Sequence, residues 1–256
     1  MIERIQAYLH TSAAQRYESI AIPPFIAYFH PFDSFQFFNY AIPSEPIEGD
    51  VQSALKALST EFLERGRIPR LEYLDEYAPK LAAELGKARF VAEGRQQLMI
   101  CTPESLRTPA PVVGLTITPL TTASPLADGV DFLTAQRQGF DPEYASEANQ
   151  DEAERFLQQT QYLVSFLGRL EGAPAGVATY TWPLEGITEI VGVATVQKFR
   201  RRGVATNLTA AAVYAAFERE ATLACLTAAD NRAGQIYEQV GFRPYATSLS
   251  YYLPAE

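Results

Sequence analysis

The stretch Ile187–Thr206, ITEIVGVATVQKFRRRGVAT, decides the fold. Its β-branched first half predicts a strand over Ile187–Thr195, followed by a basic loop with one glycine and then at once a helix. Four basic residues, Lys198, Arg200, Arg201 and Arg202, fall within five positions. A strand–loop–helix start presents backbone N–H groups that have no intrahelical partner, together with the positive end of the helix dipole. Such a place holds phosphate or pyrophosphate. Gly203 lets backbone approach the anion, and Ala205 leaves the helix start uncrowded. Cations at a helix start are unfavourable by themselves, so an arginine cluster there points to a bound anion. The stretch matches neither G-x-x-x-x-G-K-[ST] nor G-x-G-x-x-G.

Working outward, strands are expected at Val112–Ile117, Tyr162–Leu170 and Gly176–Trp182, with helices over Gly129–Gly139 and Asp151–Gln159. Beyond the loop come a helix Thr206–Glu220, a strand Thr222–Thr227, a helix Asn231–Val240 and a strand pair around Phe242–Leu253. Three strands, then helix, strand, helix and strand, indicate α+β architecture with a mixed sheet. In the first half, Asp50 is a plausible helix cap before VQSALKALSTEFLERG; IPRLEYL reads as a strand, DEYAPKLAAELG as a helix and FVAEGRQQLMIC as one or two strands. The aromatic run Phe25–Tyr40 reads as a sheet edge or buried interface rather than a stacking platform. Pro103, Pro109 and Pro111 disfavour both helix and central strand, which makes 103–111 a linker between a domain at 1–102 and one at 112–256.

An offset of 152 residues superposes Leu71 on Leu223, Leu74 on Leu226 and Phe90 on Phe242, and it aligns two helix–strand–helix–strand series. The chain therefore reads as a duplication.

Composition narrows the chemistry. The 256 residues carry 21 Lys+Arg against 30 Asp+Glu, a net charge of −9 that argues against a general nucleic-acid binder and favours cationic small partners. Two Cys (Cys101, Cys225) and two His (His10, His30), all far apart in sequence, match no structural zinc spacing, so no metal is expected. With no His after residue 30, a Ser-His-Asp triad confined to the second half is excluded. MIERIQAYLH lacks a leader pattern, and no run of about 20 apolar residues occurs, so a cytoplasmic protein without membrane contact is expected.

Arg200-Arg201-Arg202-Gly203-Val204-Ala205 fits [Q/R]-x-x-G-x-[G/A], and a helix carrying Tyr237 runs into Gly241-Phe242. On these motifs, residues 110–253 resemble the GCN5-related N-acetyltransferase (GNAT) family. The resemblance implies a mixed-sheet acyl-CoA N-acyltransferase fold, here as two tandem halves, and direct acetyl transfer from acetyl-CoA to a small-molecule or peptide amine, with a homodimer left open. It places the cofactor against Val193, Ala194 and Thr195, whose backbone N–H groups suit a developing oxyanion, and against Arg200, Arg201, Arg202, Gly203, Val204, Ala205, Thr206 and Asn231. It makes Tyr237 the general acid for the departing thiolate and Glu189, eleven residues before Arg200, a candidate base. Water or the carboxylate at the chain end, Glu256, are alternative bases, and Cys225 is a packed hydrophobe rather than a nucleophile. Under the offset, Arg200–Ala205 falls on Glu48-Gly49-Asp50-Val51-Gln52-Ser53, and Tyr237 on Leu85. Carboxylates repel a pyrophosphate and leucine donates no proton, so the first half is expected to be a degenerate copy. The rival reading is a non-catalytic module that binds acyl-CoA as a sensor or scaffold.

Overall fold

The computed structural model describes residues 1–31, 33–141, 146–158 and 162–255. They form two compact units, Met1–Leu98 with Tyr245–Glu256, and Met99–Pro244.

The second unit contains strand β6 (Leu115–Pro119), helices α4 (Leu126–Phe140) and α5 (Gln150–Gln158), strands β7 (Leu163–Leu170), β8 (Ala173–Thr181) and β9 (Ile187–Thr195), helix α6 (Val204–Phe217), strand β10 (Leu223–Ala228) and helix α7 (Asn231–Val240). Its sheet runs β10-β9-β8-β7-β6. β6 to β9 form an antiparallel ladder, whereas β10 lies parallel to β9. Gly176 on β8 approaches Val204 and Leu208 of α6, while Ala194, across from Val177 on β9, approaches Gly139 of α4. Neighbours along a strand point to opposite faces, so α6 and α4 cover opposite faces of this sheet. That double cover explains why β7, LVSFLGRL, is buried almost throughout instead of alternating. The core joins Phe166, Val177, Tyr180, Ile190, Leu208, Val213, Leu226 and Phe242.

The first unit holds α1 (Ile2–Ala14), β1 (Glu18–Ile22), β2 (Phe25–Phe29), β3 (Asn39–Pro43), α2 (Gln52–Glu64), β4 (Arg70–Leu74), α3 (Leu81–Lys87), most of β5 (Val91–Cys101) and most of β11 (Arg243–Tyr252). Its strand order is β1-β2-β3-β4-β11-β5, with Ser248–Tyr252 antiparallel to Leu74–Arg70 and Ala41 parallel to Leu71. Leu55, Leu58 and Phe62 of α2 with Leu81 and Leu85 of α3 pack on one side, against Phe25, Phe29 and Leu71. On α1, His10 meets the Tyr28 hydroxyl at 2.8 Å and the Pro43 carbonyl at 2.9 Å, tying this helix to β2 and β3.

The 152-residue offset carries α2 onto 204–216, β4 onto 222–226, α3 onto 233–239 and β5 onto 243–253, which are α6, β10, α7 and β11 almost residue for residue.

Several expectations need correction. The compact units divide within β5, after Leu98, and within β11, before Tyr245, whereas the sequence placed its boundary at 103–111. The expected linker is a strap bound within the second unit. Arg107 N–H donates to Val240 O, Asn207 Nδ2 donates to Ala110 O, and Thr108 Oγ1 meets the Tyr214 hydroxyl at 2.8 Å. The strand pair expected at Phe242–Leu253 is a single strand. The helix read from DEYAPKLAAELG begins only at Leu81, after turns that bond back to the Leu74 carbonyl. In the aromatic run, Phe25 and Phe29 are core, while Phe35, Phe37 and Phe38 are exposed. Gln159, the expected end of α5, lies outside the described residues.

Candidate functional site

The site begins where two parallel strands part. β9 and β10 pair at Ile187–Leu223, Thr188–Ala224 and Glu189–Cys225, and there the ladder stops. Ile190–Thr195 continue for six residues, and Leu226–Ala228 for three, without pairing to each other. Such a gap at the carboxyl ends of parallel strands is where open α/β sheets take ligands. β9 also bulges within the gap. Val177 pairs with Ala194 and Thr179 with Val191, so three steps on β9 face two on β8, with Gly192 at φ +63°. A bulge leaves one peptide out of the ladder and re-aims it, which suits an N–H at Val193 to face a developing oxyanion.

The chain then makes a turn at Gln197–Phe199 and enters the basic loop. Arg200 N–H donates to Gln197 O. The N–H groups of Arg201, Arg202, Gly203, Val204, Ala205 and Thr206 make no hydrogen bond among the described residues. Gly203, the N-cap of α6, sits at φ +77° and supplies no side-chain cap, so the helix start is open to an outside acceptor. A Cβ at Gly203 would also come within 2.9 Å of Val112, the residue after the strap.

The guanidinium groups are used differently from one another. Arg200 donates through Nε to Thr195 O at 3.2 Å and through Nη2 to Gly139 O at 2.8 Å. Arg202 pairs with Glu171 at 3.1 Å, and Lys198 lies over the Phe199 ring. Arg201, exposed and at φ +62°, has no polar partner among the described residues. Of the three arginines expected at the anion, Arg201 is the side chain left for it. The residues fit a pyrophosphate through backbone donors plus one cation.

Tyr237 is half-buried on α7, edge-on to Phe242 at 6.1 Å. Its hydroxyl has no hydrogen-bond partner among the described residues. Burial, with the Asp230 carboxylate adding, pushes the phenol up to about 12, so it stays protonated at neutral pH. α7 meets the start of α6 through Thr206 Oγ1 and Gln239 at 3.5 Å. Glu189 is half-buried on the last paired rung, and its N–H donates to Thr181 Oγ1 at 2.9 Å. Across that rung, burial and the Glu189 charge push the Cys225 thiol well up, and Sγ donates to Thr188 O at 3.4 Å, leaving a packed thiol and no nucleophile. Asn231 is exposed on the first turn of α7, where Asp230 is the cap and accepts from Ala233 N–H at 2.7 Å. Glu256, the alternative base, lies outside the described residues. Among the described residues no group of three His, Cys, Asp or Glu could hold a metal, and no helix is long and apolar enough to cross a membrane.

Sequence reasoning missed the bulge, whose signal is a lone glycine within a strand. Thr195, expected at the cofactor through its backbone, also brings a buried Oγ1 that has no hydrogen-bond partner among the described residues.

The sequence profile of the Acetyltransferase (GNAT) family matches residues 130–242, the segment that holds the parted strands, the loop and Tyr237. Residues 130–242 belong to the GNAT family. The GNAT fold extends over the chain. A GCN5-related N-acetyltransferase from Kribbella flavida is 26% identical, with a TM-score of 0.84 over 100% of this chain and 96% of that one. A GCN5-related N-acetyltransferase from Sphaerobacter thermophilus shares the fold at 11% identity and a TM-score of 0.65, covering 91% and 81%. A tandem GNAT protein from the clavulanic acid biosynthesis pathway does so at 13% identity and 0.61, covering 91% and 79%. No curated protein matches the sequence. The GNAT match over residues 130–242 supports acyl transfer as the coarse activity.

Proposed function

We propose that the second unit transfers an acetyl group from acetyl-CoA to an amine by direct attack, and that the first unit is a degenerate copy that binds no acyl-CoA. One observation carries this reading. Six successive N–H groups, Arg201 to Thr206, stand unspent at a helix start beside strands that have parted. The pyrophosphate accepts from these donors, with the Arg201 guanidinium alongside. The pantetheine arm enters the gap between β9 and β10, and the thioester oxygen accepts from the re-aimed peptide at Val193. The ammonium acceptor first loses a proton, to Glu189 directly or through water. Its nitrogen then forms the C–N bond as the C–S bond breaks. The departing thiolate takes the Tyr237 proton, and the phenolate recovers one from the second proton that the nitrogen sheds as the amide forms, directly or through water.

The test is release of CoA from acetyl-CoA over a panel of amines, amino acids and peptides. Turnover with at least one amine, lost in a Tyr237→Phe variant that still binds acetyl-CoA, is the expected result. Binding without turnover on any amine leaves the sensor reading in its place.

A further inference from the structure

Arg200 stands first in the phosphate-loop motif, yet its side chain points away from that task. The guanidinium reaches the last turn of α4 and donates to the Gly139 carbonyl at 2.8 Å, while Nε holds Thr195 O at 3.2 Å. Carbonyls in the last turn of a helix have no intrahelical partner and lie at the negative end of its dipole, so a cation there is well placed. The same turn presses on β9 in two more places. A Cβ at Gly139 would sit 2.7 Å from the Ala194 Cβ and 3.0 Å from the Thr195 N, so only glycine permits this approach. Three residues before Gly139, Gln136 Nε2 lies 3.0 Å from where a Cβ on Gly192 would be, at the bulge itself. The last turn of α4 is therefore laid across the bulge, and Arg200 straps it to the first residue of the donor loop.

α4 does not move alone. Arg137 pairs with Glu152 of α5 at 2.6 Å, Phe132 stacks on Phe156 at 4.6 Å, and Thr134 Oγ1 accepts from Ala148 N–H at 3.0 Å. A pull on the end of α4 is thus carried to α5 as one body. α4 covers the face of the sheet opposite α6, the helix that starts at the loop. The two ends of the Arg200 strap belong to the donor side and to the opposite side of the same strands.

We infer that Arg200 is a positioning residue which couples donor binding at the loop to the order of α4 and α5. The inference rests on the proposed acetyl-CoA site. When an anion fixes the loop from Arg201 to Thr206, Arg200 is fixed with it, and its two carbonyl bonds hold the end of α4 against the bulge. By linkage, whatever steadies α4 also favours the donor. Acceptor binding on that face therefore improves after the donor is in place.

Hydrogen exchange on the full chain, with and without saturating acetyl-CoA, tests this. In the unsubstituted protein, acetyl-CoA should slow exchange at amides 136–141 by at least about 5-fold, the low end of ordinary coupling. In Arg200→Ala that slowing should fall below about 2-fold, with Arg200→Lys between, since an ammonium can keep one of the two bonds. A mere helix cap would loosen α4 equally with and without acetyl-CoA, leaving the ratio unchanged. Gly139→Ala lifts the same turn by a different route and should also lose the ratio. Equal slowing in Arg200→Ala, or no slowing in the unsubstituted protein once binding is verified by calorimetry on the same sample, overturns the inference. Absence of binding in that calorimetry instead overturns the acetyl-CoA site itself.

Discussion

At positions 152 residues apart, the two halves spend the same helix start in opposite ways. In the second, the N–H groups from Arg201 to Thr206 are unspent, and the cap is Gly203 in the left-handed region. In the first, Val51 is the cap, and the Asp50 carboxylate accepts the Gln52 N–H at 2.9 Å, an anion from the chain itself where a ligand would bind. The strands differ as well. β9 runs six residues past its last parallel pair, but β3 ends two residues after Ala41, leaving little strand to diverge. Tyr237 is half-buried, and its hydroxyl has no partner among the described residues, whereas Leu85 is fully buried. Both halves share the order of elements, and on the proposed reading only the second carries the chemistry. What separates them is a few polar choices at a helix start and the length of one strand.

The sharpest way to break this contrast is Tyr237→Phe. It keeps the ring against Phe242 and removes the proton, so single-turnover transfer should fall about 100-fold or more while acetyl-CoA affinity holds. Because the phenol is held up to about 12, the unsubstituted enzyme keeps its acid throughout the neutral range. The defect should shrink as pH passes about 8.5, where a thiolate leaves unprotonated. An undiminished rate at every pH would remove the contrast with Leu85.

Ala205→Asp places a carboxylate in the first turn of α6, close to where the first half keeps Asp50 ahead of α2. A carboxylate in the first turn favours the helix dipole, so Tm should hold or rise, yet it repels a pyrophosphate, and acetyl-CoA affinity should drop on the order of 100-fold. The converse change, Asp50→Ala, frees the Gln52 N–H and should lower Tm by about 2–4 °C without creating a site, because β3 ends two residues past its pair with β4. Acetyl-CoA bound by the first half of that variant would show that the carboxylate alone had closed it.

Smaller effects sharpen the comparison. Glu189→Gln should slow turnover on the order of 10-fold near neutral pH, less than a sole base would, since water can relay the proton. The loss should vanish as pH nears about 10.4 and a lysine-like amine deprotonates unaided. A pH-independent defect would make Glu189 a structural member of its rung with Cys225. Smallest of all, Glu171→Gln frees Arg202 from an exposed pair and should tighten acetyl-CoA by a few-fold at most, with Tm nearly unchanged.

Much of this was legible in the sequence where the signal is local. Ile187–Thr195 and Asn231–Val240 form the elements that their patterns predict, to the residue, because a β-branched run and a capped amphipathic turn carry their own instructions. The duplication was legible from three identities and an order of elements. The parting of β9 from β10 was not, since it depends on a register set between residues more than thirty apart. Nor was the use of Arg200, which resembles its neighbours until Gly139 is folded against it. The unit boundaries were hidden for a similar reason: they fall inside β5 and β11, where no composition shift marks them. The proline-rich 103–111 looked free because polarity does not reveal that Gly241 presses on the Ser105 carbonyl.

The most direct test of one competent half is a calorimetric titration of the full chain with acetyl-CoA, run beside Ala205→Asp. The account predicts one acetyl-CoA per chain, and no binding by the variant over the same concentrations. Two per chain, or one retained by Ala205→Asp, would contradict it.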